Sequence, residues 1–375
     1  MIFSIDDGRY MARAIELARR GRFTTSPNPN VGCVIVKNGQ IVGEGWHQMA
    51  GGPHAEVVAL KQAGEQAQGA TCYVTLEPCS HFGRTPPCAQ GLITAKVAKV
   101  IAAMVDPNPQ VSGSGLQQLQ AAGIETHAGL LEADAQGLNR GFIKRMTQKR
   151  AFVRCKMASS LDGKTALANG LSQWITSADA RADVQQFRAQ SCAIISGADT
   201  VLADNALLNV RRDDSPRLKT MVASEQVRQP VRVIIDTQNR LTPDLRLFSQ
   251  HSPIILIRQH LEKSLQWPQF VEQIVVSQCD GKADLVEVVR ILSERGFNHL
   301  WIEAGATLAG AFINQQLVDE VILYQAPKLM GDQSRSLLNL PELTTMSQVI
   351  DLIISDLRMV GRDIRITAEP KTKRQ

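Results

Sequence analysis

Three side chains able to bind a metal, His54, Cys79 and Cys88, constrain the fold of this 375-residue chain more than any other feature. His54 opens a helical pattern, Cys79 ends a short apolar run, and Cys88 falls in the first turn of the next helical pattern. Three nitrogen and sulfur ligands fill three corners of a zinc tetrahedron and leave one open. Structural zinc sites are closed by four protein ligands, whereas catalytic ones keep a position for water. Backbone amides and the positive end of the helix dipole favour thiolates at helix starts. Glu56, two residues after His54, then reads as the proton carrier for a zinc-activated water.

The surrounding segments alternate in type. Residues 6–20 read as an amphipathic helix with Gly21 as its stop, and Asn38-Gly39 as the turn of a β-hairpin. A helix is expected from His54 to about Gln66, a strand over 71–76 and a helix opening at Thr85-Pro86-Pro87 with Thr85 as cap. KVIAAM reads as a strand and GSGLQQLQAAG as a helix. A polar, basic seam at 145–152 separates this α/β domain (1–148) from a second (149–375). There, strands are expected near 152–158, 193–196, 231–236, 253–257, 274–276, 299–303 and 319–324. Helices are expected near 177–190, 283–295 and 306–316, and PKTKRQ reads as a frayed end.

Composition excludes several classes. Net charge is +5, split as +3 for residues 1–149 and +2 for 150–375, and there are only ten Phe, four Trp and three Tyr. A nucleic-acid-binding domain would concentrate its charge and carry stacking aromatics, so no nucleic-acid partner is expected. The start shows no targeting pattern and no run approaches the ~18 apolar residues of a membrane span. A cytoplasmic enzyme with no membrane partner is expected. In a reducing compartment seven scattered cysteines argue for thiols or ligands rather than disulfides. Cys33, Cys72, Cys155, Cys192 and Cys279 read as small buried hydrophobes. His47 is equally readable as a surface or a buried residue, and His81 stands as an alternative ligand.

His-x-Glu followed by Pro-Cys is the arrangement of zinc nucleobase deaminases, in which the glutamate is not a ligand. PNPNVGCVIVKNG, HAE and TLEPCSHFGRTPPC together resemble the deaminase half of the bifunctional riboflavin-biosynthesis deaminase/reductase family (RibD). The long gap between the two cysteines is typical of that family. The resemblance implies that Asn28, His47, His81 and Arg84 line the pocket of a pyrimidine ribosyl 5′-phosphate. A solvated loop charge remains the other reading of Arg84.

The second half has no G-x-G-x-x-G; the nearest match, SGSGLQQL, lies in the first domain. KMASSLDGKTA, LSQW, GADTVLADNALLNVR and IEAGATLAGAFI resemble the family's reductase half, which implies a dihydrofolate-reductase-like fold using NADPH. Ala158, Trp174, Thr200, Asp204, Thr237 and the turn from Gly305 would contact NADPH. Ser172, Arg188, Leu208, Arg211 and Glu303 would contact substrate, the two arginines as phosphate clamps. A helix-surface salt bridge is the other reading of Arg188, and simple packing that of the Gly305 turn. The family's turn is often Glu-Gly-Gly; here it is Glu303-Ala304-Gly305. The implied reactions are hydrolytic deamination and NADPH-dependent reduction of the ribosyl group, with Zn2+ and NADPH as cofactors. Lys156, Asp204 and Glu303 are the ionisable candidates for the reductive step, and a homo-oligomer is expected. Two rivals remain at this level: a polynucleotide deaminase, and a zinc-stabilised binding protein with His81 as fourth ligand.

Overall fold

The computed structural model describes residues 3–80, 87–109, 111–279 and 281–371. It forms two units, Met1–Arg150 and Ala151–Gln375. The first contains α1 (Ile5–Ala18), β1 (Gly32–Lys37), β2 (Gln40–Trp46), α2 (Ala55–Ala63), β3 (Thr71–Val74), α3 (Cys88–Thr94), β4 (Lys99–Ala102), α4 (Ser114–Ala121), β5 (Glu125–Ala128), α5 (Glu132–Leu138) and α6 (Arg140–Gln148). The strands form one sheet in the order β2-β1-β3-β4-β5. Alternation along β1 sorts its side chains between two cores. Cys33 and Ile35 pack with Ala55, Ala59 and Leu92 of α2 and α3, while Val34 and Val36 pack with Met11, Ala14 and Leu17 of α1. The result is a helix–sheet–helix sandwich.

Strand direction decides where the helices begin. β1 is antiparallel to β2 and to β3, so those two run the same way, and β3, β4 and β5 are mutually parallel. The helices that follow β2, β3 and β4 therefore start at one edge of the sheet. Helix α2 lies unusually close to β2 because Gly43 and Gly45 face it. A Cβ on Gly45 would meet the Ala55 carbonyl oxygen at 2.3 Å, and one on Gly43 the Ala59 carbonyl oxygen at 2.3 Å.

The second unit contains β6 (Phe152–Ser160), β7 (Lys164–Ala166), α7 (Ala178–Gln190), β8 (Ala193–Gly197), α8 (Ala198–Asp204), α9 (Pro216–Met221), β9 (Val231–Ile235), β10 (Ile254–Arg258), β11 (Val271–Val275), β12 (Gln278–Cys279), β13 (Lys282–Ala283), α10 (Leu285–Glu294), β14 (His299–Glu303), α11 (Ala306–Asn314), β15 (Glu320–Ala326), β16 (Arg335–Ser336), β17 (Leu352–Val360) and β18 (Asp363–Pro370). Nine strands form a sheet ordered β11-β10-β9-β8-β14-β6-β15-β18-β17, and β12-β13 and β16-β7 are small pairs. All neighbours from β11 to β15 are parallel. One face buries Val153, Cys155, Val288, Leu292 and Phe312; the other buries Val184, Ile194, Ile234, Trp301 and Tyr324.

Several expectations need correction. Helix α2 ends at Ala63 rather than Gln66, where Gly64 takes a positive φ of 55°. Cys88 is the first residue of α3, with Pro87 before it; the Thr85 cap lies outside the described residues. β5 was not foreseen because ETHA lacks an apolar alternation, and α5 and α6 follow it. The terminal hairpin β17–β18 was also missed. An irregularity between Ile354 and Asp356 breaks its period-two pattern, and Pro370 and Lys371 of the supposed frayed end are paired. Cys279 is exposed, because its two-residue strand belongs to a surface pair.

Gly45→Ala is expected to lower stability by about 1–3 kcal/mol, the usual cost of forcing an atom into packed structure. A reduced urea midpoint would show it; an unchanged midpoint would mean that α2 can retreat freely.

Candidate active sites of the two units

The edge where α2 and α3 begin carries the first site. His54 is the residue preceding α2, in extended conformation (φ −72°, ψ 163°). Cys79 follows the end of β3, and its carbonyl accepts from the Ala89 amide at 3.1 Å, which ties it to the first turn of α3. His54 Nδ1 lies 3.2 Å from Cys88 Sγ and 3.6 Å from Cys79 Sγ, and the Cys88 amide donates to Cys79 Sγ at 3.3 Å. The three ligand atoms all fall within 4.8 Å of one another. Ligand-to-ligand edges in a zinc tetrahedron with these donors are about 3.5–3.8 Å, from bond lengths near 2.0–2.3 Å. One nitrogen and two sulfurs at this spacing fit zinc.

Electrostatics agree with that donor set. The Cys79 thiol is brought down to about 4, first by its hydrogen bond with Cys88 and then by His54 and the Cys88 amide. The Cys88 thiol is pushed up by the same sulfur contact and by burial. The contact between the sulfurs thus shifts the two thiols in opposite directions. Glu56 is buried, and desolvation pushes its carboxyl up to about 7. That carboxyl interacts with the Cys88 thiol.

Next to this cluster the fold gathers two of the expected pocket residues. His47 is buried, and its ring stands edge-on to His54 with centroids 5.6 Å apart. Its Nδ1 is 3.0 Å from the Pro53 carbonyl, so Nδ1 carries the proton and Nε2 accepts from Asn28 Nδ2 at 3.1 Å. Asn28 keeps its carbonyl oxygen and a second N–H for another partner. His81 and Arg84 lie outside the described residues.

In the second unit the expected residues cluster at the carboxyl ends of parallel strands. The chain leaves β6, runs outward through β8 to β11, then returns to place β14 between β8 and β6. That reversal creates the crevice where open α/β sheets bind ligands. Ala158 lies on β6, Thr200 and Asp204 on α8 after β8, Thr237 after β9, Glu303 at the end of β14 and Gly305 just beyond it. Gln173 Nε2 is 3.5 Å from Asp204 Oδ1, which links the Ser172–Trp174 segment to α8. Trp174 is 62% exposed and lies under the Arg181 guanidinium at 4.4 Å, so a broad face is offered to solvent.

The Gly305 turn suits a pyrophosphate. No side chain caps α11, and a Cβ on Gly305 would meet nothing within 4 Å. Ala304 instead packs against the apolar core, so its methyl stays away from the open side. An open, uncapped helix start of this kind fits a pyrophosphate.

Arg188 is buried, which excludes a surface salt bridge. Its Nε and Nη2 donate to Glu303 at 2.6 and 2.7 Å, and Nη1 donates to the Asn209 carbonyl at 2.8 Å. Those bonds leave it little capacity to clamp a phosphate. Arg211 is 41% exposed at its side chain, with Nε on Asp214. Burial alone would raise the Glu303 carboxyl; Arg188 outweighs it and holds the group at about 2. Burial lowers the neighbouring Lys156, against the pull of Glu303. Sequence reasoning missed Trp301, whose Nε1 donates to Glu303 at 2.6 Å. Its position two residues earlier on β14 was the available signal, since i and i+2 share a face. Leu208 is buried at a positive φ of 51°, in a loop held by Gln229 on both polar atoms of Val210 and by Gln185 on the Arg211 amide.

Comparison with known proteins gives both units the same kinship. Residues 4–104 match the model of the cytidine and deoxycytidylate deaminase zinc-binding region, and residues 151–365 match the RibD C-terminal domain. Riboflavin biosynthesis protein RibD of Haemophilus influenzae is 54% identical over 98% of this chain and 99% of its own. The chain belongs to the RibD family. The Escherichia coli RibD is 51% identical over 96% of this chain and 98% of its own. A solved RibD structure from Acinetobacter baumannii superposes with a TM-score of 0.90 at 45% identity, covering 98% of this chain and 99% of that one. A Thermotoga maritima structure, described as a diaminohydroxyphosphoribosylaminopyrimidine deaminase/5-amino-6-(5-phosphoribosylamino)uracil reductase, gives 0.85 at 34% identity, covering 98% and 99%. The two-unit α/β architecture expected from sequence is that of this RibD family.

Glu303 has a folded-state pKa of about 2 against an ordinary 4.5. Its contribution to stability is therefore complete above pH 4.5 and lost as pH falls toward 2. Arg188→Ala, which leaves that carboxylate buried and unpaired, is expected to cost about 3–5 kcal/mol at pH 7 in equilibrium denaturation. A loss under 1 kcal/mol would mean the pair is not buried in solution.

Proposed function

We propose that this protein catalyses two steps of riboflavin biosynthesis. The first unit hydrolytically deaminates 2,5-diamino-6-ribosylamino-4(3H)-pyrimidinone 5′-phosphate. The second reduces 5-amino-6-(5-phosphoribosylamino)uracil to the ribitylamino product. The cofactors are Zn2+ and NADPH. The observation that carries the reading is the convergence of His54, Cys79 and Cys88 beside the buried Glu56.

His54, Cys79 and Cys88 would hold the zinc. When bound, it supplies the Lewis acidity that makes water a nucleophile near neutral pH. Glu56 moves the proton, taking it from the attacking water and returning it to the departing amine. The carboxyl lies buried two residues after His54, at the start of the helix that this ligand opens. Asn28, steadied by His47, reads the base edge with its free carbonyl and N–H. His81 and Arg84 keep the role that the family resemblance implies, contact with the ribose phosphate.

In the second unit Ala158, Trp174, Thr200, Asp204, Thr237 and Gly305 would surround NADPH, which supplies the hydride. Ser172, Leu208 and Arg211 would hold the substrate, with Arg211 on the phosphate. Arg188 and Trp301 fix the Glu303 carboxylate so that it can accept from a substrate hydroxyl. Among the ionisable groups Lys156 suits proton donation best. Its burial lowers its affinity for a proton, whereas Glu303 is held as an anion. We assign the enzyme to the cytoplasm, without nucleic-acid or membrane partners, on the composition and charge of its sequence. Among the described residues no helix is long and apolar enough to cross a membrane.

The reading includes a homo-oligomer, and β17 is the surface that fits a second copy. Its residues Leu352, Ile354, Leu357 and Met359 lie opposite Pro370, Ala368, Ile366 and Ile364, so all four share one face. They are 49%, 57%, 63% and 62% exposed. Among the described residues the strand ends its sheet, with one edge unpaired. Antiparallel pairing of two copies centred on Leu357 would set each Asp356 opposite an Arg358, a self-complementary pattern. Leu357→Asp combined with Met359→Asp should convert a dimer to monomer in sedimentation velocity. An unchanged sedimentation coefficient, or a monomeric wild type, would reject this surface.

Glu56→Gln should abolish ammonia release from the diaminopyrimidinone, by a factor of 10³ or more, on the order expected for general acid–base loss. Zinc content should stay at wild-type level, and NADPH oxidation with the deaminated intermediate should be unaffected. Retained deamination would remove Glu56 from its role.

A further inference from the structure

Glu77 is a carboxylate buried two residues from Cys79, and the mechanism above does not use it. Its Oε2 accepts from the amides of Asp106 at 3.0 Å and Gly113 at 2.9 Å. Its Oε1 accepts from the amides of Gly115 at 2.8 Å and Leu116 at 3.3 Å. Among the described residues its side-chain partners are these four backbone N–H groups. Three of them belong to the start of α4, so the helix dipole also favours the anion. This is the SGSGLQQL segment that most nearly resembles a nucleotide-binding turn. Its glycines serve the carboxylate: Gly113 takes a positive φ of 78°, and a Cβ on Gly115 would meet the Pro78 carbonyl oxygen at 1.9 Å. The amide nest that could cradle a phosphate is filled by the protein's own side chain.

The location matters for the metal ligand. Pairing along β3 ends at Val74, so the segment reaching Cys79 needs other supports. The Glu77 amide donates to the Met104 carbonyl at 3.0 Å, and Ser80 Oγ meets Ser114 Oγ at 2.6 Å. With the four bonds of the carboxylate, Pro78–Cys79 is clamped from the α4 side, while the Ala89 amide holds it from the α3 side. We propose that Glu77 is a positioning residue of the deaminase site, whose carboxylate fills the α4 amide nest and thereby fixes the Pro78–Cys79 segment that presents a zinc ligand. The inference rests on the metal-site reading above and deepens it.

Glu77→Gln keeps the shape but replaces one oxygen by an NH2 group facing two amide donors. Zinc affinity is measured on the full chain by competition with a chromophoric chelator, and Co2+ absorption reports ligand geometry. The variant should bind zinc about 10–100-fold more weakly, the usual effect of losing a group that orients a ligand. Its Co2+ bands should shift or weaken, while NADPH oxidation with the deaminated intermediate stays at the wild-type rate. Glu77→Asp keeps the charge with less reach and should fall between the two; if Glu77→Gln does not fold, this variant decides by the same criteria. A lower melting temperature with zinc affinity within twofold of wild type and unchanged Co2+ bands would make Glu77 a stability residue only and overturn the proposal. Cys88→Ser is the control: wild-type protein binding zinc no better than this variant would overturn the metal-site reading itself, a separate failure.

Discussion

Strands that run the same way in a sheet end at one edge, and the helices that follow them begin there. Both units depend on that constraint. In the first, β2, β3 and β4 run the same way, so the starts of α2, α3 and α4 meet at one edge. His54, Cys88 and the amide nest around Glu77 are the first residues of those three helices or their caps. In the second, β6, β8, β9 and β14 are parallel, and their carboxyl ends gather Ala158, Thr200, Thr237, Glu303 and Gly305. Helix starts carry unpaired amides and partial positive charge. The start of α3 meets the Cys79 sulfur and the start of α4 the Glu77 carboxylate, and a pyrophosphate is a third anion that such a feature can serve.

Burying charge at such sites requires partners for every polar atom. Glu303 shows how it is met: Arg188 supplies two donors and Trp301 a third. Glu77 meets it with four amides and no cation. Arg232 is fully buried and meets it only in part: its two terminal nitrogens donate to the carbonyls of Leu247, Gln250 and Ser252, while its Nε has no partner among the described residues. In each case a buried side chain ties together backbone groups far away in sequence. Backbone groups held in this way need less ordering when a ligand binds.

The sequence was informative wherever chemistry is local. His54-Ala55-Glu56 and the two cysteines announced a metal site because soft ligands at helix starts are rare without one, and the apolar runs located most strands. Long-range polar pairing was not legible. Nothing near Glu77 points to Gly113 or Gly115, 36 and 38 residues away. Arg188 read as a phosphate clamp because an arginine in a helix reveals no partner, and its partner Glu303 is 115 residues distant. β17 failed for another reason. Its bulge moves the apolar residues from even to odd positions, so no single period describes the strand.

The near-miss glycine motif in the first unit and the altered turn in the second meet the same physics from opposite sides. Gly113-Ser114-Gly115 has the conformational freedom to wrap an anion, yet the anion is internal, and the turn is closed to a ligand. Glu303-Ala304-Gly305 carries an extra methyl, yet Ala304 turns it into the core and the position above Gly305 stays open. What decides a nucleotide turn is therefore the emptiness above the helix start rather than the number of glycines in it. A glycine pattern states only that a backbone can approach something closely. Whether that something is a phosphate or a carboxylate two residues from a metal ligand depends on which side chain the sheet delivers to that edge.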